Sequence, residues 1–551
     1  MASATDFDAG DTNSDKLTAS RDARVSLALS FVIGALVGLI VVAFILLTGR
    51  LAARMYPPGS AAWRRVLTPI AGALISGYLL FRFFPDARGS GIPQTKYAIF
   101  LNDGLITLKT AMGKFLCCAI SLASGIALGR EGPSVQIGAG IASVLGRRFG
   151  LSKKSVRDLL PMGCAAALAA AFNTPIAAVL FTLEEVLGDL HAPVLGSIVI
   201  SSATSWMLLH LILGDQPLFH VPAYKLIHPV EFLIYAVLGV AGGIGSVCFV
   251  KLLLLIRLGF RRFPRWTVWM QPAVGGIVVG LLGLYLPEVL GVGYDYVERV
   301  LGGDLAIRTV VLLIFLKIVA TAVCYSSGNA GGIFGPSLFI GAMIGGAVGS
   351  VAHYFFPAVT AGPGAYALVG MGATFAGIIR TPLTSVIMIF ELTRDYTIIV
   401  PVMIANLIAF IISYRLQRQP IYEALAHQDG IFLPTEERGA SGPTVGNVMR
   451  PLDDTSVDEA RALASMQQAG VRAWPLVDNG CMTAMIDRDS VRLDSKAFVH
   501  SDHSLNVALE RMGAAKVDVL PVVSRVDRDR VVGIITMPDL LAAYGVGQSR
   551  L

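Results

Sequence analysis

The feature that most constrains the fold of this chain is a Gly/Pro-rich motif that occurs twice within strongly apolar sequence. Residues 129–134 read Gly-Arg-Glu-Gly-Pro-Ser, and residues 332–337, which lie 203 positions later, read Gly-Ile-Phe-Gly-Pro-Ser. Gly and Pro interrupt helices, so each copy predicts a helix that begins inside a membrane rather than at its surface. The copies differ most at the position that is Glu131 in the first and Phe334 in the second.

A second pair of matching blocks supports an internal duplication. Thr174-Pro175 precedes Glu184, and the same spacing recurs 207 positions later, where Thr381-Pro382 precedes Glu391. Two matched blocks in the same order indicate duplication rather than chance. They divide the apolar region into halves at about 25–216 and 229–423. The sequence alone leaves open whether these halves are parallel or inverted.

Composition places most of the chain in lipid. Hydrophobic residues make up 54% of the sequence and charged residues only 15%, whereas soluble proteins carry about a quarter charged residues. Residues 25–47 form a charge-free run that is long enough to cross a bilayer, and they follow a polar tail at residues 1–24. We therefore expect an α-helical polytopic membrane protein, with a transmembrane domain over residues 25–423.

Several functional classes are disfavoured by what the sequence lacks. The basic residues cluster at segment ends and are not interleaved with aromatic residues, so we expect no nucleic-acid partner. The six cysteines have no metal-binding or redox spacing, so we expect no metal site. The membrane part contains no Ser/Cys–His arrangement and no nucleotide-binding loop, so we do not expect an enzyme.

The Gly/Pro breaks suit an anion. A helix N-terminus presents unpaired N–H donors and about half a positive charge, so it can bind an anion without a cationic side chain. Such binding is favourable but weak enough for release, as conduction requires. Three breaks could supply these N-termini, at residues 89–93, 129–133 and 332–336.

These motifs resemble those of the chloride channel and transporter (CLC) family. The family patterns GSGIP, G(K/R)EGP and GxFxP are found here at residues 89–93, 129–133 and 332–336, in the family's order. The resemblance implies the CLC fold, with two inverted-repeat halves and broken helices, and a homodimer with one anion path per subunit. It also implies a bacterial-type Cl⁻/H⁺ antiporter of the inner membrane, with both termini in the cytoplasm.

The resemblance also implies where chloride binds. Ser90 and Tyr422 should contribute hydroxyl groups, and Ile333 and Phe334 should contribute backbone N–H groups. Serine at position 90 favours chloride, since relatives with proline there resemble nitrate exchangers. The second motif is expected to add three further residues to the chloride-binding set: Gly129, Arg130 and Gly132.

Glu131 is the strongest candidate for a gate. An acid inside the membrane is costly and usually functional, and this one is placed at a helix N-terminus that would otherwise hold an anion. When ionised, the Glu131 carboxylate can occupy the anion position, and when protonated it can leave, so protons and chloride are coupled. The alternative is a buried structural glutamate paired with Arg130 or Lys114.

Glu185 is the candidate for the internal proton relay. Its neighbour Glu184 matches Glu391 in the other half, which indicates a shared structural role, such as accepting backbone N–H bonds. Glu185 instead aligns with Leu392. In the resembling exchangers this second glutamate relays protons, and in the resembling channels it is commonly apolar. We therefore expect exchange of chloride for protons; the alternative is a passive, voltage- or pH-gated chloride channel of the same fold.

Three positions depart from the family or carry an unexplained charge. Gln94 stands where many relatives have Glu, and Lys96 stands where some exchangers have an acid. We expect both to lie near the aqueous boundary and only to tune transport. Lys114 is expected to balance the acidic residues.

The C-terminal part has a soluble α/β pattern after a polar linker at residues 424–443. It resembles a pair of CBS domains, a degenerate first one at residues 444–496 and a second at residues 497–546. In the second, Thr536 and Asp539 match the positions that can hold an adenine nucleotide through its ribose. The alternative is a dimerisation module without nucleotide, and we expect no cofactor to be required for transport.

Overall fold

The computed structural model of the chain divides into two compact units, Met1–Leu425 and Ala426–Leu551. Their described residues are 11–57, 59–215, 217–221, 227–431, 444–452, 457–469, 471–478, 480–487, 492–493, 497–515, 517–527 and 530–544. Each unit is described by itself below.

The first unit is helical. Among its described residues, seven stretches are long and apolar enough to cross a membrane, in agreement with a multi-pass membrane protein. Its helices are α1 (Asp11–Met55), α2 (Ala62–Arg82), α3 (Ile92–Leu101), α4 (Leu108–Ala123), α5 (Glu131–Arg148), α6 (Lys153–Phe172), α7 (Pro175–Phe181), α8 (Leu195–Leu213), α9 (Glu231–Arg261), α10 (Gln271–Tyr285), α11 (Tyr294–Gly302), α12 (Ile307–Ser326), α13 (Phe334–Phe355), α14 (Pro363–Ile379), α15 (Pro382–Thr393), α16 (Ile399–Leu416) and α17 (Ile421–Gln428).

Two helices extend beyond the segment boundaries that were predicted from the sequence. Helix α1 begins at Asp11, within the segment predicted as a polar tail, and continues into the first apolar run without a break. Helix α17 continues to Gln428, within the predicted linker. Residues 432–443 of that linker lie outside the described residues.

The two repeated motifs meet each other directly. The Gly129 N–H donates to the Gly332 carbonyl, and the Gly332 N–H donates to the Gly129 carbonyl, both at 2.7 Å. This pair forms an antiparallel bridge. The equivalent residues of the two halves therefore contact each other in opposite chain directions. That arrangement relates the two motifs by a local two-fold axis, which agrees with inverted halves.

The second matched block also joins the halves. Glu184 accepts the N–H groups of Leu383 and Thr384 at 3.3 and 2.8 Å, at the start of α15. Glu391 accepts those of Ile176 and Ala177 at 3.0 and 2.7 Å, at the start of α7. Each glutamate thus caps the helix of the opposite half, where the first N–H groups have no partner within the helix. The shared structural role predicted for this pair is confirmed.

Two buried lysines play equivalent parts in the two halves. The Lys114 ammonium donates to the Ala87 and Gly89 carbonyls at 2.8 and 2.6 Å, and both of these partners are backbone groups rather than carboxylates. The Lys317 ammonium, 203 positions later, donates to the Val289 and Gly291 carbonyls at 3.1 and 2.7 Å. Each lysine therefore holds a loop of its own half through backbone carbonyls. The sequence-based expectation that Lys114 balances acidic residues is not what this geometry favours.

The second unit contains short helices and two three-stranded sheets, with the orders β1-β6-β5 and β2-β3-β4. Within the described residues, the paired strands of both sheets run antiparallel. The strands are β1 (Arg450–Pro451), β2 (Ala473–Asp478), β3 (Cys481–Asp487), β4 (Arg492–Leu493), β5 (Val519–Val523) and β6 (Val531–Thr536), and the helices are α18 (Val445–Val448), α19 (Glu459–Ala469), α20 (Leu505–Ala515) and α21 (Met537–Ala543).

The reciprocal helix caps lead to a stability prediction. Glu391→Ala leaves two N–H donors at the start of α7 without their carboxylate, and each such bond to a charged group contributes about 1.5–3 kcal/mol. We expect a clearly lower midpoint in thermal unfolding of the detergent-solubilised protein. The matched control is Glu510→Ala, which removes an exposed glutamate of the second unit and should leave the midpoint unchanged. Equal midpoints for the two variants would contradict the capping role.

Candidate functional site

Glu131 is fully buried at the junction of the two halves, as the first residue of α5. Its Oε2 accepts the Gly335 N–H from the first turn of α13 at 3.2 Å. Its Oε1 accepts a hydrogen bond from the Tyr294 hydroxyl and lies 4.0 Å from the Arg130 Nε. The carboxylate therefore occupies a position lined by backbone and hydroxyl donors, which is the chemistry of an anion site.

Phe334, the counterpart of Glu131, has a contrasting environment. Its ring lies against those of three other phenylalanines, with centroid distances of 4.6 Å to Phe172, 5.4 Å to Phe181 and 4.4 Å to Phe375. One half thus brings a carboxylate to the junction, and the other brings an apolar wall. Such a wall excludes water and strengthens electrostatic interactions beside it.

Ser90 and Tyr422 each carry a buried hydroxyl without a hydrogen-bond partner in the described structure. Ser90 is 0% exposed and Tyr422 is 1% exposed. Buried polar groups are nearly always hydrogen-bonded, and an exception needs a physical reason such as an ion. Tyr422 also lies within electrostatic range of both Glu131 and Glu185. These two hydroxyls are therefore donors with capacity to bind an anion.

The remaining predicted chloride-binding residues fall into two groups. Ile333 and Phe334 are buried at the start of α13, where backbone N–H groups lack partners within the helix. Gly132 allows a close approach, because a Cβ there would lie 2.6 Å from the Ser90 carbonyl oxygen. For Gly129 the structure differs from the expectation: its N–H is used in the bridge to Gly332, so it is not available to an anion.

The Arg130 side chain lies beside the Glu131 carboxylate and the Tyr294 ring. Its guanidinium lies 5.5 Å from the centre of the Tyr294 ring, and its Nε has no hydrogen-bond partner among the described residues. The 4.0 Å separation from Glu131 is too long for a hydrogen bond. Arg130 therefore adds positive potential beside the carboxylate without binding it directly.

Glu185 lies in a π-helical turn, Thr182–Leu187, that follows α7. Such turns are often found at functional sites. Its Oε1 accepts a hydrogen bond from the Lys96 ammonium at 2.9 Å, in an ion pair whose side chains are 8% and 16% exposed. Lys96 was expected only to tune transport from the aqueous boundary; the structure makes it a direct partner of the predicted proton relay.

Sequence reasoning missed a further pair of equivalent loops. Gly89-Ser90-Gly91 precedes α3, and Gly291-Val292-Gly293 precedes α11, 202 positions later, with positive φ at all four glycines. Each loop is held by the lysine described above. The repeated Gly-x-Gly spacing together with Lys114 and Lys317 was a signal that could have revealed this pair, and with it Tyr294.

Comparisons with known proteins agree with this geometry. The profile of the voltage gated chloride channel family matches residues 71–414, and that of the CBS domain matches residues 493–545. This chain belongs to the CLC family of chloride channels and transporters. Membership explains the two inverted halves and the three Gly/Pro motifs together.

Three similar proteins illustrate the range of names within the CLC family. The H(+)/Cl(−) exchange transporter ClcA of Vibrio campbellii is 34% identical over 367 residues, which are 65% of this chain and 78% of the relative. A ClcB-like protein of Ralstonia nicotianae that carries a chloride-channel name is 33% identical over 379 residues, which are 68% and 88% of the two chains. The crystal structure of a slow cyanobacterial Cl⁻/H⁺ antiporter superposes with a TM-score of 0.68 at 26% identity, covering 73% and 97%.

The second unit of this CLC protein carries the two predicted nucleotide-binding residues. The Asp539 carboxylate accepts a hydrogen bond from the Thr536 hydroxyl at 2.6 Å and three hydrogen bonds from the Arg450 guanidinium at 2.6, 3.0 and 3.1 Å. Thr536 also caps α21 by accepting the Asp539 N–H. Both side chains are therefore occupied by protein partners, so they do not fit an adenine nucleotide without losing these bonds.

Proposed function

We propose that this protein exchanges chloride for protons across a membrane, with Glu131 as the gate. The observation that carries the proposal is the position of the Glu131 carboxylate. It accepts a backbone N–H from the opposite half at 3.2 Å, at a helix N-terminus where a chloride ion would otherwise bind. A proton on Glu131 removes the negative charge that competes with chloride, so binding of the two ions is linked.

The two unpartnered hydroxyls support a chloride position beside this gate. Ser90 and Tyr422 would donate to the ion, and the first N–H groups of α13, those of Ile333 and Phe334, would complete its shell. Gly132 takes part by letting the Ser90 loop approach α5. Hydroxyl and amide donors without a full positive charge bind chloride weakly enough for transport.

Glu185 would serve as the internal proton relay of the exchange cycle. Its carboxylate is almost fully buried and paired with Lys96, and in the proposed cycle it would hold and release the proton at a distance from Glu131 along the chain. Tyr422 lies within electrostatic range of both glutamates, which supports a chloride site whose occupancy either carboxylate can influence.

Several further properties belong to the same proposal. We infer a homodimer in the inner membrane with both termini in the cytoplasm, surrounded by lipid, as the family resemblance implies. Large apolar side chains that are exposed on α8 and α16, such as Leu211 and Leu407, provide faces for lipid or a second copy. Transport needs no cofactor, and nucleotide binding by the second unit would require Asp539 to exchange Arg450 for a ribose.

The first test measures both ions in vesicles that contain the purified protein. A chloride gradient should drive protons uphill through the wild type. Glu185→Val should abolish proton movement while chloride flux continues, and Glu131→Ala should abolish proton coupling and the acid dependence of chloride flux. Protein-free vesicles are the control. Chloride flux without proton movement in the wild type would instead establish the passive channel.

Chloride binding should depend on the Tyr422 hydroxyl. Tyr422→Phe keeps the buried ring and removes one donor to the ion, and a hydrogen bond to a charged group contributes about 1.5–3 kcal/mol. We expect chloride affinity, measured by calorimetry on the detergent-solubilised protein, to fall about tenfold or more. Tyr414→Phe, which alters a more exposed ring on α16, should leave the affinity unchanged. An unchanged affinity in Tyr422→Phe would exclude this hydroxyl from the site.

The ion pair of Lys96 with Glu185 should slow protonation of the relay. Lys96→Met removes the ammonium that stabilises the ionised carboxylate, and for this largely buried pair we take about 1 kcal/mol, the upper end of the range for exposed pairs. We expect proton flux at neutral pH to rise about fivefold relative to chloride flux. Lys109→Met, at an exposed lysine of α4, is the matched control. A ratio that stays at the wild-type value in Lys96→Met would show that the pair does not control the relay.

A further inference from the structure

The Tyr294 hydroxyl contacts the gate directly. It donates a hydrogen bond to Glu131 Oε1, while Glu131 Oε2 accepts the Gly335 N–H at 3.2 Å. Both carboxylate oxygens are therefore held, one by the backbone of α13 and the other by the first side chain of α11. The carboxylate cannot leave this position without breaking the bond to Tyr294.

The Tyr294 ring is positioned on two sides. The Phe219 ring packs edge-on against it, with a centroid distance of 5.4 Å and an interplanar angle of 89°. The Arg130 guanidinium lies 5.5 Å from its centre. Such aromatic and cation–π contacts restrict the ring geometrically. The hydroxyl is therefore presented to Glu131 by a packed ring rather than by a freely rotating side chain.

The backbone that carries Tyr294 is also constrained. Lys317 donates to the Gly291 carbonyl at 2.7 Å, and a Cβ on Gly293 would lie 2.7 Å from the Phe339 ring. In the other half, the equivalent lysine holds the Gly89 carbonyl of the loop that carries Ser90. The same loop architecture thus presents one hydroxyl in each half, from Ser90 in the first and from Tyr294 in the second.

We propose that Tyr294 is a positioning residue that latches the ionised Glu131 in the anion position and thereby sets the rate and the acid dependence of gate opening. This inference rests on the proposed role of Glu131 as the gate. Hydrogen bonds to ionised acceptors are roughly twice as strong as those to neutral ones. The latch therefore favours the closed, ionised state and weakens when Glu131 accepts a proton.

Other groups also face Glu131. Arg130 lies 4.0 Å away on the same turn, and Cys118 on α4 and Tyr422 on α17 lie within electrostatic range. All three remain in place when only the Tyr294 hydroxyl is removed. Tyr294→Phe therefore isolates the latch from the rest of the electrostatic environment, and it keeps the ring that packs against Phe219.

The test compares chloride and proton flux in vesicles over a range of pH. A charge-assisted hydrogen bond corresponds to about a tenfold change in an equilibrium. We expect Tyr294→Phe to raise chloride flux at neutral pH severalfold, up to about tenfold, and to move the half-maximal pH about one unit towards alkaline values. Tyr296→Phe on the same helix is the matched control and should behave as the wild type. A wild-type pH profile in Tyr294→Phe would overturn the latch.

A double-variant cycle separates the latch from a general packing effect. In a Glu131→Ala background the hydroxyl has no carboxylate to hold, so adding Tyr294→Phe should change neither flux nor its pH dependence. An equal acceleration in that background would overturn the proposal, because the effect would not pass through Glu131. Failure of the gate itself is distinguishable: Glu131→Ala alone would then retain proton coupling and acid dependence.

Discussion

The structure depends on one constraint, that backbone groups freed in the middle of a membrane find polar partners within the protein. At the junction, Gly129 and Gly332 satisfy each other through two bonds of 2.7 Å. Around it, Glu184 and Glu391 cap each other's helices. Neither of these two sets of contacts can form within one half alone, because the partners lie in the other half. The duplication therefore supplies partners for the helix ends that a single half would lack.

Function arises where the symmetry between the halves is lost. The position that carries Glu131 in one half carries Phe334 in the other, and Phe334 lies among three other phenylalanine rings. A symmetric pair of carboxylates would place two like charges at the junction, which is costly in a low dielectric. A single carboxylate beside an apolar wall leaves one titratable group in competition with the anion, and the backbone donors of both halves serve that one group.

Much of this arrangement could be predicted from the sequence, because the spacing between the repeated motifs can be read directly from it. The repeated Gly/Pro motifs predicted the broken helices, and the match of Glu184 to Glu391 predicted their shared role. The partners of Lys96 and Arg450 could not be predicted, since each pairs with a carboxylate 89 positions away that only the fold brings close. The loop before α11 was missed because its sequence has diverged except for its glycines.

The two groups proposed to bind protons, Glu131 and Glu185, share a feature that follows from their burial. A carboxylate that must alternate between charged and neutral states inside a protein needs a donor for its charged state, or ionisation becomes too costly. Glu131 has the Tyr294 hydroxyl and the Gly335 N–H, whereas Glu185 has the Lys96 ammonium at 2.9 Å. When a carboxylate is protonated, a hydrogen bond from a neutral donor loses less of its strength than a hydrogen bond from a cation does. Protonation of Glu131 therefore leaves neutral donors beside a neutral acid, whereas protonation of Glu185 leaves the Lys96 ammonium without its ionised partner.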